Sequence, residues 1–485
     1  MKFAKNSTAY NLLLIKNHMI NNEARIYALK NLPPEVVAVT FAKCSRSPEN
    51  FDAIAQELST EQSAEFNEKW VVNYGHGSVA EHAFMNIAIE NVSLIAVESI
   101  QSNRLASYTE KSSRYQIYNR DRIYIPEIFN SDPIIKQAYL NVVNELFTVY
   151  EKSIAPIKKA IENIYPNKEN DPDAVWQAKI KSKWMDICRF LLPNCVLANL
   201  GMSANARTFE YAITKMLSHP LREVNEIGQK IKKVALNITP TLVKYAEPKE
   251  YYKNNEEYLL AKSKSFAFDS IISEFTRDNK LEVELIDYDK DGEDKILAGL
   301  IYKYSCASFR QCLEKIKKLK YDDKQKIFDS VLAKAKNIYD KPPRELEYPY
   351  YTFDVLLDQG AYYDLKRNRI MTQTPQILKA AYGYYTPKIF YKIGLYDEYC
   401  RAMDRAHETC RVLGRKYPYE AQYITTKATA RRFVMKMNLR EAFYFVGLRS
   451  RSGGHFMYRK IAQMIFDHIN RVHPNIGKYI MADKK

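Results

Sequence analysis

The sequence predicts an α+β protein built as two tandem copies of one domain, each a small, mostly antiparallel sheet packed with several helices. Three observations support this prediction: an internal repeat, apolar residues that alternate at matching places in both copies, and long segments with helical periodicity. The chain has 485 residues, more than a single hydrophobic core usually needs, so two domains are also the expected number.

The repeat consists of short segments that recur about 265 residues further along the chain. A later pair, residues 205–207 and 438–440, both of the pattern Asn-x-Arg, is separated by only about 233 residues. The first copy should therefore hold about 32 additional residues between these motifs, as a surface insertion would. The pairs at the longer spacing are residues 42–45 with 305–308, 81–87 with 347–353, and 102–107 with 367–372.

Both copies contain a segment in which apolar and polar residues alternate, the pattern of a strand with one buried face. Residues 134–163 and 456–472 have the spacing of helices, and Pro474 follows the end of the second. These elements predict a sheet covered by helices in each copy. The alternating apolar residues are Met85, Ile87 and Ile89 in the first copy and Tyr351, Phe353 and Val355 in the second.

A boundary between the copies is expected at residues 246–262. This segment is charged, lacks periodicity and contains Pro248, as linkers between domains often do. We therefore expect one domain over residues 25–248 and a second, degenerate copy over residues 262–485.

Composition limits the class of protein. No stretch approaches the roughly 20 consecutive apolar residues of a membrane span. Seven cysteines without a CxxC pair argue against a disulfide framework or a zinc ribbon, and favour a reducing cytoplasm. The 73 Lys and Arg residues exceed the 57 Asp and Glu residues, which gives a net charge of +16. A basic balance predicts an anionic partner: nucleic acid, acidic lipid or a phosphorylated small molecule.

The segment richest in reactive groups is residues 101–115, QSNRLASYTEKSSRY, which follows the first predicted strand. Its arginines offer planar forks for phosphate, its serine hydroxyls and loop N–H groups can complete a cradle, and Glu110 can accept a hydrogen bond from an N–H donor. The pattern indicates an anion site. A solvated polar turn would be the simpler interpretation if the segment stood alone.

A second motif lies upstream, at residues 74–82, YGHGSVAEH. Glycines on both sides of His76 let the backbone approach a ligand closely, so His76 could hydrogen-bond to a cofactor with Glu81 orienting it. A structural histidine is the alternative. Together with His82 these residues include the types that bind zinc, but the spacing is not HExxH and no further cluster is evident, so we expect no metal.

The two motifs together resemble the flavin-dependent thymidylate synthase family, whose signature reads Arg-His-Arg-x-x-Ser-x-Asn-Glu-x-Ser-x-Arg-Tyr. The family's later Arg before Leu-Pro resembles Arg189, and its Asn-x-Arg resembles residues 205–207. The resemblance covers much of residues 40–235 and, more loosely, 280–475, which implies a tandem duplication of the family domain. The matching residues are Arg104, Ser107, Glu110, Ser112, Arg114 and Tyr115, whereas Ser102, Asn103 and Thr109 depart from the signature.

The second copy departs from the signature differently. It keeps Arg367 and Arg369 of the first triplet but loses the Glu-x-Ser-x-Arg segment, and Arg449 falls where the family has a phosphate-binding arginine. The equivalent place in the first copy, near Met216, has none. Because the losses are complementary, we expect composite sites built from both repeats, with a homodimer imitating the family's tetramer.

The resemblance implies an enzyme that delivers a one-carbon unit from methylenetetrahydrofolate to carbon 5 of dUMP, with FAD reduced by NADPH and without attack by an enzyme cysteine. It places Glu110, Ser112 and Arg114 at the catalytic centre. The implied dUMP-binding residues are Glu110, Ser112, Ser113, Arg114, Arg189 and Arg449. The implied flavin-binding residues are Ser45, His76, Ser78, Glu81, Arg104, Asn205, Arg367, Arg369 and Asn438.

Two departures leave alternatives open. The family's histidine is Asn103 in one copy and Asn368 in the other, which cannot become cationic, and Ser113 replaces a usual glycine. A different nucleotide or one-carbon product is therefore an open alternative, as is a catalytically inactive homologue that binds nucleotide or supports another protein. A nucleic-acid-binding protein would suit the charge and the 37 tyrosines, but the basic residues are not clustered and no recognition motif is evident, so we do not expect one.

Overall fold

The computed structural model describes residues 24–73, 77–167, 171–266 and 281–484. The chain divides into two compact units, residues 1–83 and residues 84–485. In its described residues the first unit contains three helices and two short turns of helix. Val36, Val39, Ile54 and Leu58 form its core. Its elements are α1 (Pro34–Lys43), α2 (Phe51–Glu57), α3 (Thr60–Asn67), a π-helical turn (Glu68–Asn73) and a 3₁₀ turn (Val79–Glu81).

The second unit begins with a three-stranded antiparallel sheet in the order β1-β3-β2. The alternation predicted for its first strand is confirmed, because Met85, Ile87 and Ile89 are buried while their neighbours in β1 are exposed. The elements of this part are β1 (Phe84–Ser93), α4 (Leu94–Ile100), β2 (Ala106–Glu110), α5 (Pro133–Ile164), α6 (Asp173–Cys188), β3 (Leu197–Asn205), α7 (Ala206–Leu217), α8 (Arg222–Leu236) and α9 (Glu250–Ser265), with 3₁₀ turns at Glu127–Ser131 and Arg189–Leu191.

The same unit continues with a four-stranded antiparallel sheet in the order β4-β5-β7-β6. Tyr351, Phe353 and Val355 of β5 are fully buried, as the sequence predicted. The elements are β4 (Glu282–Tyr288), α10 (Gly292–Tyr302), α11 (Phe309–Lys317), α12 (Tyr321–Leu332), β5 (Tyr350–Asp358), α13 (Gln359–Leu365), β6 (Thr372–Pro375), α14 (Ile389–Lys392), α15 (Tyr396–Lys416), β7 (Ala430–Asn438), α16 (Leu439–Arg449), α17 (Phe456–Val472) and α18 (Pro474–Gly477), with 3₁₀ turns at Arg344–Glu347 and Glu420–Ile424.

The two sheets are embedded in the same succession of elements, which confirms the α+β fold and the tandem repeat. Ser93 caps α4 as Asp358 caps α13, each side chain accepting a hydrogen bond from a backbone N–H three residues on. The additional residues of the first copy form α6, which follows α5, whereas the described chain between α15 and β7 holds only a 3₁₀ turn. This is the insertion that the change in repeat spacing predicts.

The helices predicted from periodicity are present as α5 and α17, and Pro474 lies just beyond α17. The segment expected to be a linker is mostly helical, because α9 begins at Glu250, and none of the residues of α9 is buried. The division into domains at 25–248 and 262–485 stays a prediction. None of the described helices is long and apolar enough to cross a membrane.

The two repeats are joined by backbone hydrogen bonds that follow a local pseudo-twofold relation. The N–H of Asn194 donates to the carbonyl of Thr425 at 2.8 Å, and the N–H of Lys427 donates to the carbonyl of Leu192 at 3.1 Å. Asn194 and Lys427 occupy equivalent places before β3 and β7. The repeats therefore meet along the segments that precede β3 and β7. Residues just outside these two segments face the other repeat.

A buried carboxylate adds to this junction and can be tested. Glu223 of α8 accepts hydrogen bonds from the Ser93 N–H at 2.8 Å, the Ser93 hydroxyl at 2.6 Å and the Tyr423 hydroxyl of the second repeat at 2.8 Å. We expect Glu223→Gln to lower the free energy of unfolding by about 1–3 kcal/mol, because it places an amide donor against these donors. Urea unfolding measures this. The control is Glu226→Gln on the same helix, where the ion pair with Arg222 is exposed and should contribute little; equal effects of both variants would contradict the prediction.

Candidate functional site

Four arginines from the two repeats converge at the junction of the repeats, around two buried aspartates. Arg114 lies in the loop after β2 and Arg189 in the 3₁₀ turn after α6, while Arg367 follows α13 and Arg449 ends α16. We call this group the composite cluster; its members are Arg114, Asp186, Arg189, Asp364, Arg367 and Arg449. The sequence argument predicted composite sites built from both repeats and left open which protomer supplies each wall. In the structure the two sets of arginines meet within one chain.

The first-repeat side of the cluster is a bidentate ion pair. Arg114 Nε and Nη2 donate to the two carboxylate oxygens of Asp186, both at 2.8 Å, and Nη2 also lies 3.4 Å from the carbonyl of Gly453 in the second repeat. The two side chains are only 15% and 5% exposed. This geometry fixes the plane of the guanidinium group, so Arg114 is held in place before any ligand arrives.

Asp364 connects the two repeats electrostatically. Its carboxylate lies 3.4 Å from Nη2 of Arg189 and 3.2 Å from Nη2 of Arg367. Burial alone would raise the pKa of this carboxyl, but Arg189, Arg367 and then Arg449 lower its pKa to about 2. Asp364 is therefore a permanent anion that lies between two guanidinium groups. Its single negative charge balances only one of their two positive charges.

Arg449 makes fewer polar contacts with described residues than the other arginines of the cluster do. Its Nε is buried and has no hydrogen-bond partner among the described residues. Its guanidinium carbon lies 5.3 Å from the centre of the Tyr458 ring, and its charge acts on Asp364. A buried donor without an acceptor is costly unless a ligand supplies one.

Two lysines of the second repeat also belong to the site, and sequence reasoning missed both. Lys427 Nζ donates to the hydroxyl of Ser113 at 3.0 Å, whereas Lys366 Nζ is buried without a hydrogen-bond partner among the described residues. Each ammonium lies about 5 Å from the centre of the Tyr363 ring. Burial lowers the pKa of each lysine to about 8, against the opposing effect of nearby carboxylates that include Glu110.

The remaining nucleotide residues expected from the sequence lie on the same loop as Arg114. Glu110 accepts a hydrogen bond from Nε2 of Gln101 at 3.0 Å, and the hydroxyl of Ser112 accepts one from the Arg114 N–H at 3.2 Å. Ser113 is buried and bonded to Lys427. The structure thus brings Ser113, Arg114, Arg189 and Arg449 together around the cluster, with Glu110 and Ser112 on the adjoining loop.

The residues expected to bind flavin fall into separate groups. Arg104 Nη2 donates to the Thr372 hydroxyl at 3.0 Å, and Arg369 Nη1 donates to the carbonyl of Arg104 at 3.2 Å, so the two triplets meet across the repeats. Arg367 belongs to the composite cluster. The amides of Asn103 and Asn368, which replace the family's histidine, donate to the carbonyls of the residues three places earlier, at 2.9 and 2.8 Å. Both asparagines therefore stabilise the loops in which they lie.

Asn205 and Asn438 have a structural role as well. Their amide oxygens accept hydrogen bonds from the N–H groups of Thr208 and Glu441, as N-caps of α7 and α16. Asn438 also lines a cavity of about 960 Å³ in the second repeat, which could hold a ligand the size of a cofactor.

In the first compact unit, Ser45, Ser78 and Glu81 are exposed. The hydroxyl of Ser45 donates to the carbonyl of Ala42 at 2.9 Å. Glu81 ends the 3₁₀ turn that follows Ser78. His76 lies outside the described residues.

Comparison with known proteins agrees with the repeat seen in the structure. A model of the family described as "Thymidylate synthase complementing protein" (Thy1) matches residues 28–241 and 284–475. The chain belongs to the Thy1 family. Both matched segments lie where the resemblance to flavin-dependent thymidylate synthases was found, and the family prediction is confirmed.

Individual relatives of this Thy1-family chain include full-length and half-length matches. A UPF0159 protein of Chlamydia pneumoniae is 30% identical over 94% of this chain and 92% of its own length. A flavin-dependent thymidylate synthase of Clostridium tetani is 27% identical over 44% of this chain and 83% of its own length. A UMP/dUMP methylase, PolB from Streptomyces cacaoi, aligns at a TM-score of 0.34 and 12% identity, covering 42% of this chain and 96% of that one; this likeness is too low to support an argument.

Proposed function

We propose that this protein is an FAD-dependent methyltransferase of the thymidylate synthase type, which converts dUMP to dTMP with methylenetetrahydrofolate and NADPH. The observation that carries the proposal is the composite cluster, where arginines that are absent from one repeat are supplied by the other. Family membership supports the reaction class, and the relatives named as flavin-dependent thymidylate synthases support the cofactor.

The charges of the cluster suit a nucleoside monophosphate. Its four arginines face two aspartates, so two positive charges remain for a phosphate that carries close to two negative charges. Asp186 and Asp364 hold Arg114, Arg189 and Arg367 in fixed positions, which reduces the side-chain entropy that ligand binding would otherwise lose. We infer that the phosphate lies against Arg114 and Arg449, with Ser112 and Ser113 completing the contacts.

The residues present fit a flavin in size, because the cavity of about 960 Å³ that Asn438 lines is large enough for one. Arg104, Arg367 and Arg369 would hold its phosphates, with Asn205 and Asn438 as further proposed contacts. The flavin roles of Ser45, Ser78 and Glu81 in the first unit, and of His76 outside the described residues, stay predictions from the sequence. When bound, FAD would supply reducing equivalents that come from NADPH. The chain's own groups would orient dUMP, balance its charge and exclude water from the pyrimidine. We also propose that the protein is cytoplasmic and forms a homodimer.

A spectroscopic titration tests this proposal. We expect the purified protein to bind FAD and the visible flavin bands to shift when dUMP is added, since the nucleotide and the flavin would share one site. Absorption spectra with and without dUMP measure this, with dAMP as the control nucleotide that should leave the bands unchanged. Absence of flavin binding under all conditions would contradict the proposal.

A catalytically inactive nucleotide-binding homologue is the second candidate. The observation that favours it is the structural use of Asn103 and Asn368, whose amides are committed to loop hydrogen bonds at the place of the family's histidine. Mass spectrometry of dUMP incubated with FAD, NADPH and methylenetetrahydrofolate separates the two candidates: formation of dTMP supports the enzyme, while a flavin shift without dTMP supports the inactive homologue.

A further inference from the structure

The pseudo-twofold relation between the repeats creates a second position, equivalent to that of the composite cluster. At this position each repeat contributes the elements that the other repeat contributes to the cluster. A cavity of about 280 Å³ occupies it, lined by the ends of α4 and α7 from the first repeat and by the loop after β6 and the turn before β7 from the second. We call it the mate cavity. The mate cavity is thus built from the counterparts of the elements that form the composite cluster.

The mate cavity has lost most of the charges of the cluster. The matching caps of the helices and the matching 3₁₀ turns before β3 and β7 fix which residues correspond, and four of the six charged members of the cluster have neutral counterparts at the mate cavity. The neutral counterparts are Gln422 for Arg189, Ser99 for Asp364, Ser102 for Arg367 and Met216 for Arg449. A nucleoside monophosphate, which needs several guanidinium groups, is therefore not the ligand for which this cavity is suited.

A single cation faces the mate cavity without a carboxylate. Lys215, next to Met216 on α7, donates to the Ser102 hydroxyl at 2.8 Å and lies 3.3 Å from Oδ1 of Asn103. No carboxylate of the described residues lies within ion-pair distance of its ammonium, and burial lowers the pKa of this lysine. By contrast Arg431, also in the wall, is paired with Glu98 at 2.7 Å.

The rest of the wall favours an apolar body. Ile95, Met216, Leu221, Val224 and Ile377 line the cavity. His219 adds no charge: its Nδ1 accepts a hydrogen bond from the Leu221 N–H at 3.1 Å, so its proton is on Nε2, 3.2 Å from the Ser99 hydroxyl. One cation therefore stands at the edge of a mainly apolar wall, which also includes Glu256, whose carboxylate accepts a hydrogen bond from the Tyr419 hydroxyl at 3.0 Å.

We propose that the mate cavity binds a small organic monoanion, a carboxylate on an aromatic or apolar body, with Lys215 as its counter-ion. The carboxylate would lie against the ammonium, and the body would lie against Met216, Val224 and Ile377. This site is distinct from the composite cluster and would be occupied independently of it.

Calorimetric titration of the full chain with 2-naphthoate, a flat aromatic carboxylate, tests the proposal. We expect saturable binding of one 2-naphthoate per chain. Lys215→Met should weaken it by about tenfold or more, whereas Lys233→Met, an exposed lysine on α8, should not change it. The neutral analogue 2-naphthamide should bind the original protein about tenfold more weakly.

Two further variants separate this site from the cluster. Ile377→Trp narrows the mate cavity from the second repeat and should also weaken binding, which guards against a folding defect specific to Lys215→Met. Arg114→Lys should leave 2-naphthoate binding unchanged. The proposal is overturned if no saturable binding is found, if Lys215→Met binds as well as the original chain, or if Arg114→Lys abolishes binding.

Discussion

Replacing Arg449 with methionine is expected to weaken dUMP binding by about 30-fold to several thousand-fold, since losing one member of a desolvated charge pair costs about 2–5 kcal/mol. The free energy of unfolding should change little, because among the described residues Arg449 Nε has no hydrogen-bond partner and no carboxylate forms an ion pair with its guanidinium group. Calorimetric titration with dUMP measures the first effect and urea unfolding the second.

The matched control is Arg415→Met, which removes an exposed arginine from α15 of the same repeat and should leave dUMP affinity unchanged. Arg114→Lys tests the other repeat: it keeps a charge for Asp186 but removes the bidentate geometry, and it should also weaken binding. If Arg449→Met binds dUMP normally while Arg114→Lys does not, the second repeat contributes nothing to the phosphate and the composite site is wrong.

The sequence predicted the architecture well because its signals are local or repeated. Alternating residues such as Met85 and Phe353 report one buried face of a strand whatever surrounds it. The drop in repeat spacing predicted an insertion, and α6 is present at that place. The complementary losses also predicted that Arg114 and Arg449 act together, although the sequence could not say whether one chain or two supply them.

The groups that complete the site could not be predicted in the same way. Asp364 and Arg189 are 175 positions apart and belong to no common motif. Lys427 was missed because its role depends on how the loops before β3 and β7 pack against each other, which no periodicity encodes. A comparison of the two copies offers one signal: Lys427 stands where the first copy has the neutral Asn194, although either residue would be acceptable on a solvated surface.

The interpretation of Asn205 and Asn438 shows a different limit. Asparagine immediately before a helix is also a common N-cap, and both residues cap helices in the structure. Their amide nitrogens could still contact a ligand, so the capping role and the proposed flavin contact are compatible. The spacing of the motif alone could not separate these roles, because both require asparagine at the start of the helix.

Lys366→Met is expected to raise the free energy of unfolding at neutral pH by about 3 kcal/mol. Burial lowers the pKa of this lysine from 10.5 to about 8, and each unit of pKa corresponds to about 1.4 kcal/mol. Between pH 8 and 10.5 the unfolded chain binds more protons at this residue than the folded chain, so its contribution to stability rises with pH. The difference in stability between variant and original protein should therefore be largest near pH 7 and shrink towards pH 10.5.

Urea unfolding at pH 7, 8.5 and 10 measures this difference, with Lys392→Met, an exposed lysine at the end of α14, as the matched control that should show none. A destabilised Lys366→Met protein would mean that Glu98 and Glu110 stabilise the ammonium more than burial destabilises it.

The expected result has a consequence for the function of Lys366. The Lys366 ammonium has no hydrogen-bond partner in the part of the chain that the structure describes and is expected to lower stability. We therefore propose that it serves ligand binding at the composite cluster, beside Tyr363 and near Glu110. The stabilised variant should therefore bind dUMP or FAD more weakly than the original protein.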